Sequence, residues 1–120
     1  MLKYILAIDQ GTTSSRVVLY NTKFKPIDSQ QKEFKQYFPN NGWVEHDALE
    51  IWNDVKFLIS NKIKRNKLQA KQILSIGIAN QRETTVLWNK LNGKPVHKAI
   101  VWQDRRTTHI CEKLKKKKIR

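Results

Sequence analysis

The sequence predicts an α/β fold, a mixed sheet with flanking helices, in a chain of 120 residues. Three observations carry that expectation. Two short apolar runs, Tyr4-Ile5-Leu6-Ala7-Ile8 and Val17-Val18-Leu19-Tyr20, flank one polar segment as the strands of a hairpin would. Apolar residues then recur at spacings of three and four from Leu49 to Ile63, which is the helical period. A run rich in β-branched residues, Ile73 to Ala79, follows as a further strand.

Taken in order, the first strand is expected at about Lys3 to Ile8 and the second at about Arg16 to Asn21. The segment Asp9-Gln10-Gly11-Thr12-Thr13-Ser14-Ser15-Arg16 joins them. Lys25-Pro26 marks a turn. A third, more polar strand over Ile27 to Phe34 alternates weakly, which suits a sheet edge. The stretch 37–42 is a loop. Asp47 is placed to cap a helix, and Glu50 three residues on completes a capping-box pattern. Leu49, Trp52, Val55, Ile59 and Ile63 form its expected core stripe, and the pattern fades near Arg65-Asn66.

Ile73, Leu74, Ile76, Ile78 and Ala79 place apolar side chains on both faces of a strand, as in the middle of a covered sheet. Asn80-Gln81-Arg82-Glu83 is a polar turn after it. Thr84 to Trp88 and Lys98 to Trp102 flank Leu91-Asn92-Gly93-Lys94-Pro95, a reverse-turn signal that predicts a hairpin-like return. A last helix starts near Arg105 and carries Ile110, Cys111 and Leu114. Little sequence follows to cover the other face of the sheet, so residues 1–120 read as the opening part of one larger domain.

Bulk composition narrows the function classes. Hydrophobic content of 39% is enough for a globular core. No apolar run approaches the roughly 20 residues of a membrane-spanning helix. The N-terminal apolar stretch ends at Asp9, too short for a secretory signal, so a cytoplasmic setting is expected. The lone cysteine, Cys111, can form no internal disulfide and reads as a small buried hydrophobe on its helix. His46, His97 and His109 show no metal-ligand spacing. Net charge is +14, but the lysines are spread along the chain and run densely only at Lys113 and Lys115 to Lys118. Without interleaved arginine and aromatic residues to stack bases, no specific nucleic-acid partner is expected. A basic module for nucleic acid or an acidic membrane, bound by charge alone, is the alternative, and a non-functional remnant is another.

Three polar clusters fall at strand ends, where open α/β sheets bind ligands. The first, Asp9 to Arg16, offers a carboxylate, a glycine, four hydroxyls and a guanidinium within eight residues. Phosphate recognition uses that set: close backbone N–H groups, hydroxyl donors, a cation, and a carboxylate that holds Mg²⁺ through water. Ordinary turn chemistry yields similar strings. The second, Gln81-Arg82-Glu83-Thr84, suits a polyol, since Glu83 accepts from one hydroxyl and Arg82 donates to another; taken alone, Arg82-Glu83 reads first as a surface ion pair in a loop. The third is Trp102-Gln103-Asp104-Arg105-Arg106. Trp102 offers a flat apolar surface for a polyol's carbons, and Asp104 reads either as an active-site group or as a helix cap followed by solvated cations.

Four segments together resemble one known family. Asp9-Gln-Gly-Thr-Thr-Ser-Ser-Arg16, Gly42-Trp-Val-Glu-His-Asp47, Asn80-Gln-Arg-Glu-Thr-Thr85 and Ile100-Val-Trp-Gln-Asp-Arg-Arg-Thr107 are similar, in order and spacing, to the N-terminal region of the glycerol kinases, a branch of the FGGY carbohydrate kinases. The resemblance runs to about Leu114. It implies a ribonuclease H-like (actin-like ATPase) domain, here incomplete, and transfer of phosphate from ATP to glycerol with Mg²⁺. By motif position it implies nucleotide contacts from Thr12, Thr13, Ser14 and Arg16. Asp9 would lie near Mg²⁺ through water, and Thr12, Arg82, Glu83 and Trp102 would lie at glycerol. It also places a further glycerol-contacting tyrosine, the aspartate proposed as general base and the adenine-binding second domain beyond Arg120. No catalytic base is assigned here, and the chain is expected to be inactive unless a missing C-terminal kinase portion is supplied.

Overall fold

The computed structural model describes residues 1–117, and these divide into two compact units. The first comprises Met1–Lys35 and Ala48–Arg82. Its strands are β1 (Tyr4–Gln10), β2 (Ser14–Asn21), β3 (Pro26–Glu33) and β5 (Ile73–Ala79), in the sheet order β3-β2-β1-β5. β2 runs antiparallel to both β1 and β3, whereas β5 runs parallel to β1, so the sheet is mixed as expected. The connection from β3 to β5 includes helix α1 (Ala48–Arg65) and a short 3-10 turn at Ala70–Gln72.

α1 lies over one face of this sheet. Leu6 and Ile8 of β1 and Val17 and Leu19 of β2 meet Val55 and Leu58 in one buried cluster, with Tyr4, Ile59, Leu68 and Ile73 packed around it. The expected helical stripe is therefore turned. Val55 and Ile59 face inward, but Leu49 and Trp52 are exposed, and the buried positions include Asp54 and Lys62. The polar edge strand β3 explains this. Alternate β3 residues Asp28, Gln30 and Lys32 bond successive positions of α1. Lys32 Nζ donates to Asp54 Oδ1 at 2.6 Å, and Asn61 Nδ2 donates to Gln30 Oε1 at 2.6 Å. Asp28 accepts from Lys62, Arg65 and Asn66. Burial pushes the Asp28 carboxyl up, but bonds from Asn66 and Lys62 and the charges of Lys62 and Arg65 outweigh it and hold it below the usual carboxylate range. A hydrophobic period cannot count a wholly buried lysine as an inward position.

β3 is an edge strand, as its polarity predicts. β5 is not the central strand its composition suggests. Among the described residues it is the other edge, with Leu74, Ile76 and Ile78 exposed, Ile78 by 71%. The register partners of Ile76 and Ile78, Leu6 and Ile8, are buried beneath α1; the cover stops one strand short.

The second unit comprises Gln36–Asp47 and the chain from Glu83 onward. β4 (Glu45–His46) pairs antiparallel with β6 (Ala99–Ile100), and bridges at Tyr37–Glu45, Thr85–Ile100 and Trp88–Pro95 extend the pairing. The expected hairpin-like return is present. Asn89 N donates to Lys94 O at 2.7 Å, Gly93 N donates to Asn89 O at 2.8 Å, and Gly93 takes a positive φ of 69° that favours glycine. Helix α2 (Thr108–Lys116) starts three residues later than expected. Cys111 lies on it but is exposed rather than buried, and Ile110 and Leu114 are exposed as well. Of the basic run, Lys113, Lys115, Lys116 and Lys117 are on or beside α2, while Lys118 lies outside the described residues.

Candidate functional site

Five of the eight residues read as a connecting loop belong to the strands themselves. The ladder continues through Asp9↔Arg16 and Gln10↔Ser15, which leaves a tip of three residues, Gly11, Thr12 and Thr13. Gly11 keeps this tip uncrowded. Its N–H donates to Ser14 O at 3.0 Å, and a Cβ would come within 3.2 Å of that same carbonyl oxygen. Thr13 O accepts from Phe34 N, its side chain is exposed, and Thr12 is half-buried.

Strand alternation divides the motif between two faces. Gln10 and Ser15 belong to the α1 side, where the fully buried Ser15 hydroxyl donates to Gln10 Oε1 at 2.6 Å. Ser15 is thus a structural hydroxyl, not an available donor. Asp9 and Arg16 point to the opposite face. There the register sets Asp9, Arg16 and Gln31 in one row across β1, β2 and β3. Arg16 Nη2 donates to Asp9 Oδ2 at 3.0 Å, with both side chains about half exposed, and Gln31 Nε2 donates to Ser14 Oγ at 2.7 Å.

These groups line an open cleft of about 230 Å³ bounded by Asp9, Gly11, Ser14, Arg16 and Gln31. Three of the expected residues, Asp9, Ser14 and Arg16, are therefore brought together, with Thr12 and Thr13 at the adjoining tip rather than in the lining. Gln31 was missed by the sequence reading. Its signal is register alone, two strands away from the motif. An ion pair this exposed contributes only about 0–1 kcal/mol to stability, so a ligand can separate Asp9 from Arg16 at small cost.

β1 and β5 run parallel, with Asp9 beside Ala79. The hairpin tip and the segment leading to Arg82 thus leave the sheet at the same end, as the strand-end argument expects. Arg82 is exposed and closes the first unit. Glu83 opens the second and is exposed, with a positive φ of 58° unusual for a side chain of its type. Within the second unit, Glu83 and Trp102 each lie two residues beyond the Thr85–Ile100 bridge, on the same side of it, and Trp102 is half exposed.

Asp104 and Arg106 have a different role from the one expected. The residue capping α2 is Thr107, and Asp104 is buried. Its carboxylate accepts from Val44 N at 2.7 Å and from Arg106 Nη2 at 2.7 Å; Arg106 also donates to Glu45 Oε2 at 2.7 Å and lies over the Trp43 ring at 3.8 Å. The Arg106 guanidinium holds the Asp104 carboxyl at about 2 against burial, with backbone N–H bonds from Arg106 and Val44 adding to it. Asp104 lifts the Arg106 pKa above its ordinary value, with Glu45 adding to this against burial. Arg106 is no solvated cation. It is the centre of a buried clamp that fastens 42–45 to 101–106.

Several known proteins similar to this chain share that architecture. The chain is 57% identical over 113 residues to a glycerol kinase of Oceanobacillus iheyensis, covering 94% of this chain and 23% of that protein. A glycerol kinase of Plasmodium falciparum, solved with ADP, superposes with a TM-score of 0.88 at 35% identity, over 97% of this chain and 23% of that one. A gluconate kinase of Lactobacillus acidophilus gives a TM-score of 0.88 at 25% identity, over 98% of this chain and 23% of that one. The chain thus spans about a quarter of the length of these relatives. Residues 4–120 match the N-terminal domain of the FGGY carbohydrate kinases, and the chain belongs to that family.

Proposed function

We propose that this chain supplies the phosphate-binding hairpin and the glycerol contacts of a kinase that transfers phosphate from ATP to glycerol, giving ADP and sn-glycerol 3-phosphate. Residues 1–120 are then part of the first of that enzyme's two domains, in a cytoplasmic setting. The observation that carries the reading is the row Asp9, Arg16 and Gln31 with Ser14 in one open cleft at the hairpin. Thr12, Thr13 and Ser14 bind the nucleotide phosphates through hydroxyls and tip N–H groups, and Arg16 neutralises their charge. The donor set suits Mg²⁺. No group of three or more His, Cys, Asp or Glu is set to hold a metal among the described residues. One half-exposed carboxylate, Asp9, fits an ion that keeps its waters and takes its other ligands from phosphate.

Arg82 and Glu83 hold glycerol hydroxyls, joined by Thr12, and Trp102 covers the carbons. The 57% identity to a glycerol kinase supports glycerol over other polyols. No general base is assigned among these residues, so turnover is expected only with the remaining part of such a kinase. The test joins this chain to the remaining length of the Oceanobacillus relative in one polypeptide and follows ADP release with glycerol. Turnover by the joined protein, absent from the chain alone and reduced about 100-fold or more in kcat/KM by Arg82→Ala, supports the reading. No turnover, or turnover unchanged by Arg82→Ala and Glu83→Ala, ends it.

A further inference from the structure

A second surface, independent of the proposed kinase site, is the ordered return between Leu87 and Val96. Four large apolar side chains stand in the open within these ten residues. Leu87, Trp88 and Val96 are each about two-thirds exposed, and Leu91 at the turn is 95% exposed. The turn that carries them is firmly bonded. Besides the Asn89–Lys94 and Gly93–Asn89 bonds, Asn89 Oδ1 accepts from Leu91 N at 2.8 Å and Asn92 Oδ1 accepts from Lys94 N at 2.9 Å. Leu91 is therefore held outward by a defined turn.

Charge identifies the partner. No acidic residue occurs from Thr84 to Gln103, while Lys90, Lys94 and Lys98 lie in or beside the turn, in a chain of net charge +14. An apolar tip collared by lysines is complementary to an anionic bilayer surface. The tip displaces interfacial water and the ammonium groups stay at headgroup level. Nucleic acid fits less well, because Leu87, Leu91 and Val96 offer no stacking surface. We infer that the Leu87–Val96 hairpin is a peripheral docking element for membranes rich in anionic phospholipid, with Leu91 and Trp88 entering the interface.

Sedimentation of the full chain with phosphatidylglycerol-containing and pure phosphatidylcholine vesicles tests this. Net charge alone would draw the chain to anionic vesicles, so the deciding variant keeps charge constant. Leu87→Asn with Leu91→Asn should weaken partitioning by about tenfold or more, near 1.4 kcal/mol, with an unchanged circular dichroism melt. Brominated lipid should quench the intact chain's tryptophan fluorescence, and Trp88→Phe should remove most of that quenching without altering binding. Three results would overturn the inference: binding by the double variant within twofold of the intact chain, quenching that survives Trp88→Phe, or binding to duplex DNA with none to vesicles.

Discussion

The two units hold themselves together in different ways. The first has a conventional core, Leu6, Ile8, Val17, Leu19, Val55 and Leu58, and places its buried charges along one seam between α1 and β3. The second buries little apolar surface, chiefly Ala99 and Val101, and centres on the Arg106 guanidinium among Asp104, Glu45 and Trp43. The first is stabilised mainly by area removed from water, the second by geometry between a few charges. The hairpin and Arg82 belong to the first unit, and Glu83 and Trp102 to the second, so the proposed polyol contacts draw on foundations of both kinds.

The sharpest way to break that contrast is Arg106→Ala. It leaves the Asp104 and Glu45 carboxylates buried without their cation and should cost about 3–5 kcal/mol. Faster amide exchange at Val44 and Arg105, whose N–H groups bond Asp104 and Gly42, would locate the damage in the second unit. A loss below about 1 kcal/mol would mean the clamp is incidental.

Next is Leu58→Ala, which opens a cavity under the first unit's sheet and should cost about 2–5 kcal/mol by urea unfolding. Acid should separate the units further. The Asp104 carboxyl titrates at about 2 instead of 3.8, so its contribution is complete above about pH 4 and is lost as pH falls toward 2. That amounts to about 2 kcal/mol, to be read from Trp43 fluorescence against pH. The smallest expected effect is that of Asp9→Asn, under about 1 kcal/mol in stability, together with clear loss of Mg²⁺-dependent nucleotide affinity by calorimetry. A large stability loss there would make the pair structural instead.

Local signals in the sequence located most elements and the hairpin. The apolar runs before Asp9 and after Arg16, the polarity of Ile27 to Phe34, and Asn92-Gly93 each depend on neighbours close in sequence. What could not be read depends on distant partners. Lys62 is buried because Asp28 lies across from it, 34 positions away. Arg106 is largely covered because Glu45, 61 positions away, receives it. Gln31 joins the candidate cleft only through β2–β3 register. β5 failed differently. Its composition describes a strand covered on both sides, and among the described residues it has a neighbour on one side only.

That asymmetry between the two sheet margins has a consequence for association. β3 presents a proline and inward charges, Asp28 and Lys32, tied to a helix, a combination that discourages further strand addition. β5, among the described residues, has one unpaired margin, flanked by Leu74, Ile76 and Ile78. Strand addition to this sheet is therefore favoured at the β5 margin over the β3 margin.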